Sequence, residues 1–472
     1  MSTALEPILN NKNATRAEQI STVLRMSTPA ILAELTSIAM QYIDAGMVGS
    51  LGARATASIG LVTSSTWLIG SVCIGMSNGF SVQVAQLVGA GRSKEASGIL
   101  RQALGVLLCM GIVISVIAMS ISTSLPVWLG GEEAILKDAG MYFLIYSASI
   151  PFILMRHLSA SMMQCSGDMK TPSILSVTVC VLDVLFNMLL IFPSRTILLF
   201  GKECVLPGAG LGVTGAALGT ALSEAVIALI MLYAVCVRNK KLSLRLNSGS
   251  WRWQKQVLKT AAKIAVPISV DQIFMCSAYV VGTLIVAPLG TTAVAANSLA
   301  VTAESLCYMP GYGIGMAATA IIGQTIGAQR SDLTKSFSRV SVYLGMVMMG
   351  LTAVAMFFLA PFIFSLLTSD SSVAELGSSV LRMELFAEPL YAASICCAGV
   401  FRGAGDTLVP SILNLGSMWC VRIVLALLLV PSMGLKGYWL AMTIELCFRG
   451  IIFLIRLYRG RWMKKELINT EQ

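Results

Sequence analysis

The sequence predicts an all-α integral membrane protein of twelve transmembrane helices, arranged as two six-helix repeats related by a pseudo-two-fold axis along the membrane normal. Three observations predict it. The 472 residues are 56% hydrophobic and 12% charged, against about 25% charged in an average soluble domain, so no ordinary water-facing surface can be built. Apolar segments of about twenty residues recur between short Gly, Pro or charged loops, and lipid admits such segments only as helices. The chain also repeats itself: Pro29 and Pro267, Leu51-Gly52 and Leu289-Gly290, and Leu61 and Leu299 share one offset of 238 residues.

The spans are read at 26–48, 55–78, 101–123, 138–158, 172–193, 213–237, 264–286, 293–316, 339–361, 376–398, 410–431 and 437–457. The first opens on Pro29, suited to a first helical turn, and closes on a Gly-rich turn. At about 1.5 Å per residue, Asp44 lies roughly 22 Å along that helix, inside a hydrocarbon core of about 30 Å. A charge at that depth is costly and generally has a task.

Residues 1–25 form a cytosolic segment with Glu6, Lys12, Arg16, Glu18 and Arg25 and no apolar core of a cleaved signal. Of the 33 Lys and Arg residues, 24 fall on the side of the termini and four within spans, while five (Arg54, Lys137, Arg195, Lys202 and Lys436) fall on the other side. Positive residues accumulate inside, so both termini are expected in the cytosol of a multi-pass protein of the cell inner (plasma) membrane. The net charge of +10 then reflects topology and anionic lipid headgroups rather than nucleic acid. The first lobe covers 26–237 and the second 264–457, followed by a cytosolic tail at 458–472. Between the lobes, 238–263 reads as a basic, aromatic strap on the inner surface. Nearly all of the twelve cysteines are scattered through apolar segments as small hydrophobes, with no metal spacing, and adjacent Cys396 and Cys397 point to different helix faces. The lone His157, beside Arg156, reads as an interfacial histidine.

The repeat register holds without a gap as far as Pro193. Gln86, Gly89, Ala90, Arg92 and Ser93 match Gln324, Gly327, Ala328, Arg330 and Ser331, and Gly167-Asp168 matches Gly405-Asp406. Beyond Pro193 the offset falls to 222, so the first half carries about 16 extra residues, read as an outer loop containing Cys204. Six spans per half is an even number, which gives an axis along the membrane normal and a cleft between the lobes. That plan describes a secondary transporter better than an enzyme, and no P-loop lysine pattern is present.

Pro29 with Asp44 and Gly49, the Gln86-to-Ala90 and Gln324-to-Ala328 segments, and RGAGDT at 402–407 carry a resemblance to the multidrug and toxic compound extrusion (MATE) family, over about 20–460. The resemblance points to the family's proton-type, DinF-like branch. It implies cation-driven efflux of small organic, often cationic, compounds by rocking of two lobes, in a monomer whose only cofactor is the coupling ion, H+ or Na+.

Depth arithmetic brings four polar residues of the first half to one level. Asn187 lies fifteen residues beyond Pro172, as Asp44 lies beyond Pro29, and Asp183 is one turn earlier. Thr220 lies roughly 12 Å below the outer end of the sixth span. The resemblance matches Asp44 to the family's first-span aspartate and Thr220 to a threonine near the cation site. It departs at the fifth span, where the family pattern has Asn four residues before Asp and this chain has Asp183 before Asn187. A carboxyl group desolvated in a helix bundle favours its protonated form, so such a group can bind and release a proton as water access changes.

The second half places Glu304, Glu384, Glu388 and Arg422 within spans, and a buried arginine needs a partner. Glu384 and Glu388, four apart on one helical face, are the expected partners and a candidate wall for a cationic substrate. Sodium-type members carry acids at the positions of Met275 and Tyr391. Asp271 and Glu388, one turn before each, are the displaced substitutes. The reading favours proton coupling through the first lobe, with sodium open. A flippase for a lipid-linked precursor is the alternative, and it calls for several basic residues lining the cleft. A polytopic enzyme or receptor calls for clustered His, Asp or Cys, or for a large soluble domain.

Overall fold

A computed structural model describes residues 5–10, 15–199, 202–245, 253–368 and 370–464. Its described part holds twelve long helical units in chain order. The first lobe comprises α1 (Arg16–Gly49), α2 (Ala53–Gly89), α3 (Ser93–Ser120), α4 (Glu133–Cys165), α5 (Lys170–Leu190) and α6 (Gly212–Arg238). The second comprises α7 (Lys255–Leu289), α8 (Thr291–Gly327), α9 (Ser331–Leu367), the bent pair α10 (Ser371–Glu384 and Glu388–Gly403), α11 (Leu408–Met433) and α12 (Leu435–Arg459). Nine of these are long and apolar enough to cross a membrane singly, and α10 qualifies as a pair bent by 59°. The two that fall short, α1 and α12, are the more polar: α1 carries Glu34 and Asp44, and α12 carries Lys436, Glu445, Arg449 and Arg456.

Three local expectations change. Pro29 lies inside α1, not at its first turn. The helix begins at Arg16, where Thr15 and Glu18 form a capping box, each side chain accepting from the other's backbone N–H. Likewise α7 begins at Lys255 with Pro267 inside it, so the last part of the strap is helical; 246–252 lies outside the described residues. The extra residues after Pro193 are a hairpin and not a loop: β1 (Pro193–Leu199) pairs antiparallel with β2 (Lys202–Ala209), with Ile197 opposite Cys204.

The repeat is visible in the backbone. Gly52 and Gly290, related by the offset, precede α2 and α8 with φ of 105° and 97°, a conformation open to glycine and costly for other residues. Each lobe has its own apolar core, one around Phe143, Leu154 and Met162 and one around Met349, Phe364 and Trp439. The lobes also exchange supports, since α1 packs along α8 and α7 along α2. The start of α1 and the end of α12 lie on one face of the bundle, here the terminal face, where Gln19 accepts from Ser336 and Tyr458 hydrogen-bonds Tyr343, the two partners both on α9. On that face a short helix, Glu6–Asn10, joins the lobes: Glu6 pairs with Lys241 (2.8 Å), and the Leu9 carbonyl accepts from Arg330 (2.9 Å).

Candidate functional site

In the first lobe, α1, α5 and α6 bring the four sequence-predicted residues together. The Asn187 amide donates to Asp44 Oδ1 (3.0 Å) and to Asp183 Oδ2 (2.9 Å). The Ser223 hydroxyl donates to Asp183 Oδ1 (3.3 Å), and the Thr220 hydroxyl also faces Asp183. Asp183 and Asn187 are fully buried, whereas Asp44 is half-buried. The Asp44 and Asp183 carboxyl groups are joined through the Asn187 amide and lie within electrostatic reach of each other. A proton shared between them would relieve the repulsion of two negative charges held this close. Gly219 makes the approach of α6 possible, since a Cβ there would collide with Asn187 Oδ1.

The exchanged order of Asp183 and Asn187 therefore still lets one amide link both acids. The second lobe repeats this arrangement only in part: Asn414 on α11 donates to Asp271 on α7, an amide–acid bond between the equivalent helices, but the amide's other partner is Arg449 and not a second acid. Gly282 stands where the repeat would place Asp44, and a Cβ on it would run into the Tyr438 hydroxyl.

The expected pairing of Arg422 with Glu384 or Glu388 is not formed. Arg422 instead donates to Glu445 Oε2 through Nη2 (2.8 Å) and Nε (3.1 Å). Two departures from regular helix explain this. Arg422 sits in a π-helical segment, Ser417–Ile423, whose wider turn changes the direction a side chain takes. Glu384 ends the first half of α10 and Glu388 begins the second, so the spacing rule of one continuous helix does not hold across the break, and both acids lie within electrostatic reach of Glu304 instead. Among the described residues, none of their four carboxyl oxygens has a hydrogen-bond partner.

Glu445 also binds Arg449 (2.9 Å) and accepts from Ser417. Arg449 Nη1 donates to Asn414 Oδ1 (3.2 Å), whose amide donates to Asp271 Oδ2 (3.1 Å). Asp271 is thus tied into a polar chain across α7, α11 and α12. Glu304 on α8 lies within electrostatic reach of Arg422 and Arg449. Tyr391 is buried with the Arg449 guanidinium over its ring (5.5 Å), and Met275 is half-buried on α7.

The MatE family profile matches residues 29–189 and again 267–428, which is the internal repeat seen as two copies of one family unit. The chain belongs to the MatE family. It is a membrane transporter and not an enzyme. Curated MatE relatives include the "Probable multidrug resistance protein NorM" of Thermotoga maritima, 24% identical over 95% of this chain and 94% of its own length. The multidrug resistance protein MdtK of Yersinia enterocolitica is 25% identical over 94% of this chain and 95% of its own. A crystal structure of a MATE protein in complex with MaD3S superposes with a TM-score of 0.87 at 20% identity, covering 99% of this chain and 100% of that one. An outward-facing MATE transporter superposes at 0.85 with 20% identity, covering 97% and 100%.

Within this MatE fold the sequence reading passed over several residues. Ser223 gave no signal beyond lying one turn from Thr220. Arg156 pairs with Glu224 across α4 and α6 and contacts His157 Nε2 (3.3 Å), and Glu34 lies within electrostatic reach of Arg156. Glu34, Glu224, Glu445 and Arg449 all fall inside the proposed spans, so intramembrane charge alone was enough to single them out.

Proposed function

We propose that the chain is a secondary active multidrug efflux transporter, exchanging a coupling cation for small organic, cationic compounds by alternating access. The observation that carries this reading is the cluster of Asp44, Asp183 and Asn187, in which one amide joins two acids, where the second lobe has a single acid, Asp271, on its amide. H+ is the favoured coupling ion and Na+ the alternative, with no other cofactor. Two acids joined by a single amide hold a proton between them. Opening the half-buried Asp44 to water on one side and then the other exchanges that proton with different compartments. Protonation changes the contacts Asp44 makes with Asp183 and Asn187, and so biases α1 between two states.

The names of the relatives support the multidrug reading. The second lobe favours a cationic substrate over a lipid-linked pyrophosphate, because Arg422 and Arg449 are already bound by Glu445 while Glu384 and Glu388 are unpaired. The terminal face is the cytosolic side of the inner membrane, as the distribution of Lys and Arg indicates, and the working unit is a monomer. The test uses purified protein in vesicles loaded with a cationic dye, with proton and sodium gradients imposed separately. Uphill dye movement under the proton gradient is expected. Movement under neither gradient contradicts a secondary transporter of cationic compounds.

A further inference from the structure

The two lobes approach closely at the terminal-face ends of α2 and α8, and the contact obeys the repeat. A Cβ on Gly89 would strike the Gln324 carbonyl oxygen, and a Cβ on Gly327 would strike the Gln86 carbonyl oxygen. The two glycines are equivalent in the repeat, and so are the two glutamines. The glutamine side chains continue the symmetry. Gln324 Nε2 donates to the Cys165 carbonyl at the end of α4 (2.8 Å), and Gln86 Nε2 donates to the Gly403 carbonyl at the end of α10 (3.4 Å). Cys165 and Gly403 also differ by 238, and both glutamines are 1% exposed.

The same pattern extends inward from the terminal face. Gly75 abuts Ser269 on α7, and its repeat partner Gly313 abuts Ile31 on α1. Nearer the opposite face it stops: a Cβ on Gly60 would meet nothing within 4 Å, and one on Gly70 would meet only Tyr146 of its own lobe. There the exposed Tyr42 hydroxyl reaches across to the Thr302 carbonyl (3.2 Å).

We propose that Gln86, Gln324, Gly89 and Gly327 form the gate on the terminal face, a pseudo-two-fold clasp that holds the lobes in the state seen here and parts for the alternate state. The inference rests on the alternating-access reading but not on any particular ion or substrate. Its chemistry suits a contact made and broken every cycle. Water replaces the carbonyl partners when the clasp opens, so each hydrogen bond stabilises closure only modestly. The glycines let two helix backbones touch, which bulkier residues would prevent. None of the four residues belongs to the Asp44 cluster, so they govern the conformational equilibrium alone.

The test reads that equilibrium without substrate or gradient. In full-length protein with Cys165 as the sole cysteine, maleimide labelling reports opening, because this buried thiol sits at the clasp. Gly327→Ala, and separately Gln86→Met with Gln324→Met, are expected to speed labelling about tenfold. The glycine variant is the sharper test, since Gly327 is the last residue of α8 and has no positive φ, so alanine is locally tolerated there. A parallel set keeps only Cys73, which lies in the first-lobe core and should stay unlabelled. Unchanged Cys165 labelling in both variants refutes the gate. Faster labelling of Cys165 and Cys73 together refutes it equally, because the clasp residues would then hold the fold rather than a gate. Loss of transport with the expected labelling pattern leaves the gate standing and counts against the transport reading alone.

Discussion

Glu445 accepts from Arg422 and Arg449 at once, so removing it strands two guanidinium groups inside the second lobe. Glu445→Leu is expected to lower stability by about 3–5 kcal/mol, measured by thermal unfolding in detergent. Arg422→Leu leaves the Glu445 and Arg449 pair intact and should cost clearly less; equal losses would contradict the shared-acid arrangement. Gln329 offers a gain instead. It stands where the first half has Gly91 (φ 75°) and is held at φ 56°, a left-handed conformation that disfavours a side chain. Gln329→Gly should raise stability by about 1 kcal/mol, while Gly91→Ala should lower it. Residues on regular helices were legible in the sequence: Asp44, Asp183, Asn187 and Thr220 meet because equal intervals from Pro29 and Pro172 span equal rises on regular helix, although Pro29 is not the start of α1 and Asp44 lies farther along that helix than counted. The partner of Arg422 was not, because a π-helical turn and the break in α10 both violate the spacing rule on which the pairing rested.

Among the elements, hydropathy located all twelve helices but misplaced their ends. An apolar window reports the part of a helix at lipid depth, whereas α1 and α7 extend well beyond it, which is why Pro29 and Pro267 turn out to be internal. The hairpin after Pro193 was hidden differently. Thr196, Ile197 and Val205 are residues that favour strands, but the segment interrupts the repeat and so reads as inserted loop. Its base is already closed by backbone bonds from Gly210 to Phe192 (2.9 Å) and from Leu211 to Leu190 (2.9 Å). In the second half Gly434 alone joins α11 to α12. Replacing 194–209 with one or two glycines is therefore expected to leave folding and dye transport near wild-type levels. A loss of transport at normal membrane abundance would assign the hairpin a function.

For the whole molecule, the duplication sets the architecture and the departures from it set the roles. The offset of 238 residues gave the two lobes, their axis and their connections, and the symmetric contact of α2 with α8 follows from it. Sequence could not show that Gly282 is closed off by Tyr438, because that contact joins residues far apart in the chain. Sidedness is checked with single cysteines in a cysteine-free variant: an impermeant thiol reagent on whole cells should label position 194 in the hairpin and spare position 240 after α6. The reverse pattern would invert the topology. The central claim is that Asp44 couples transport to the ion gradient, and Asp44→Asn tests it most directly. The variant keeps the size and hydrogen bonding of the side chain but cannot carry or release a proton. Reconstituted at wild-type abundance, it should still bind dye and fail to move it uphill under an imposed proton or sodium gradient. Uphill movement at the wild-type rate would contradict the account and transfer the coupling role to another acid, Asp183 first.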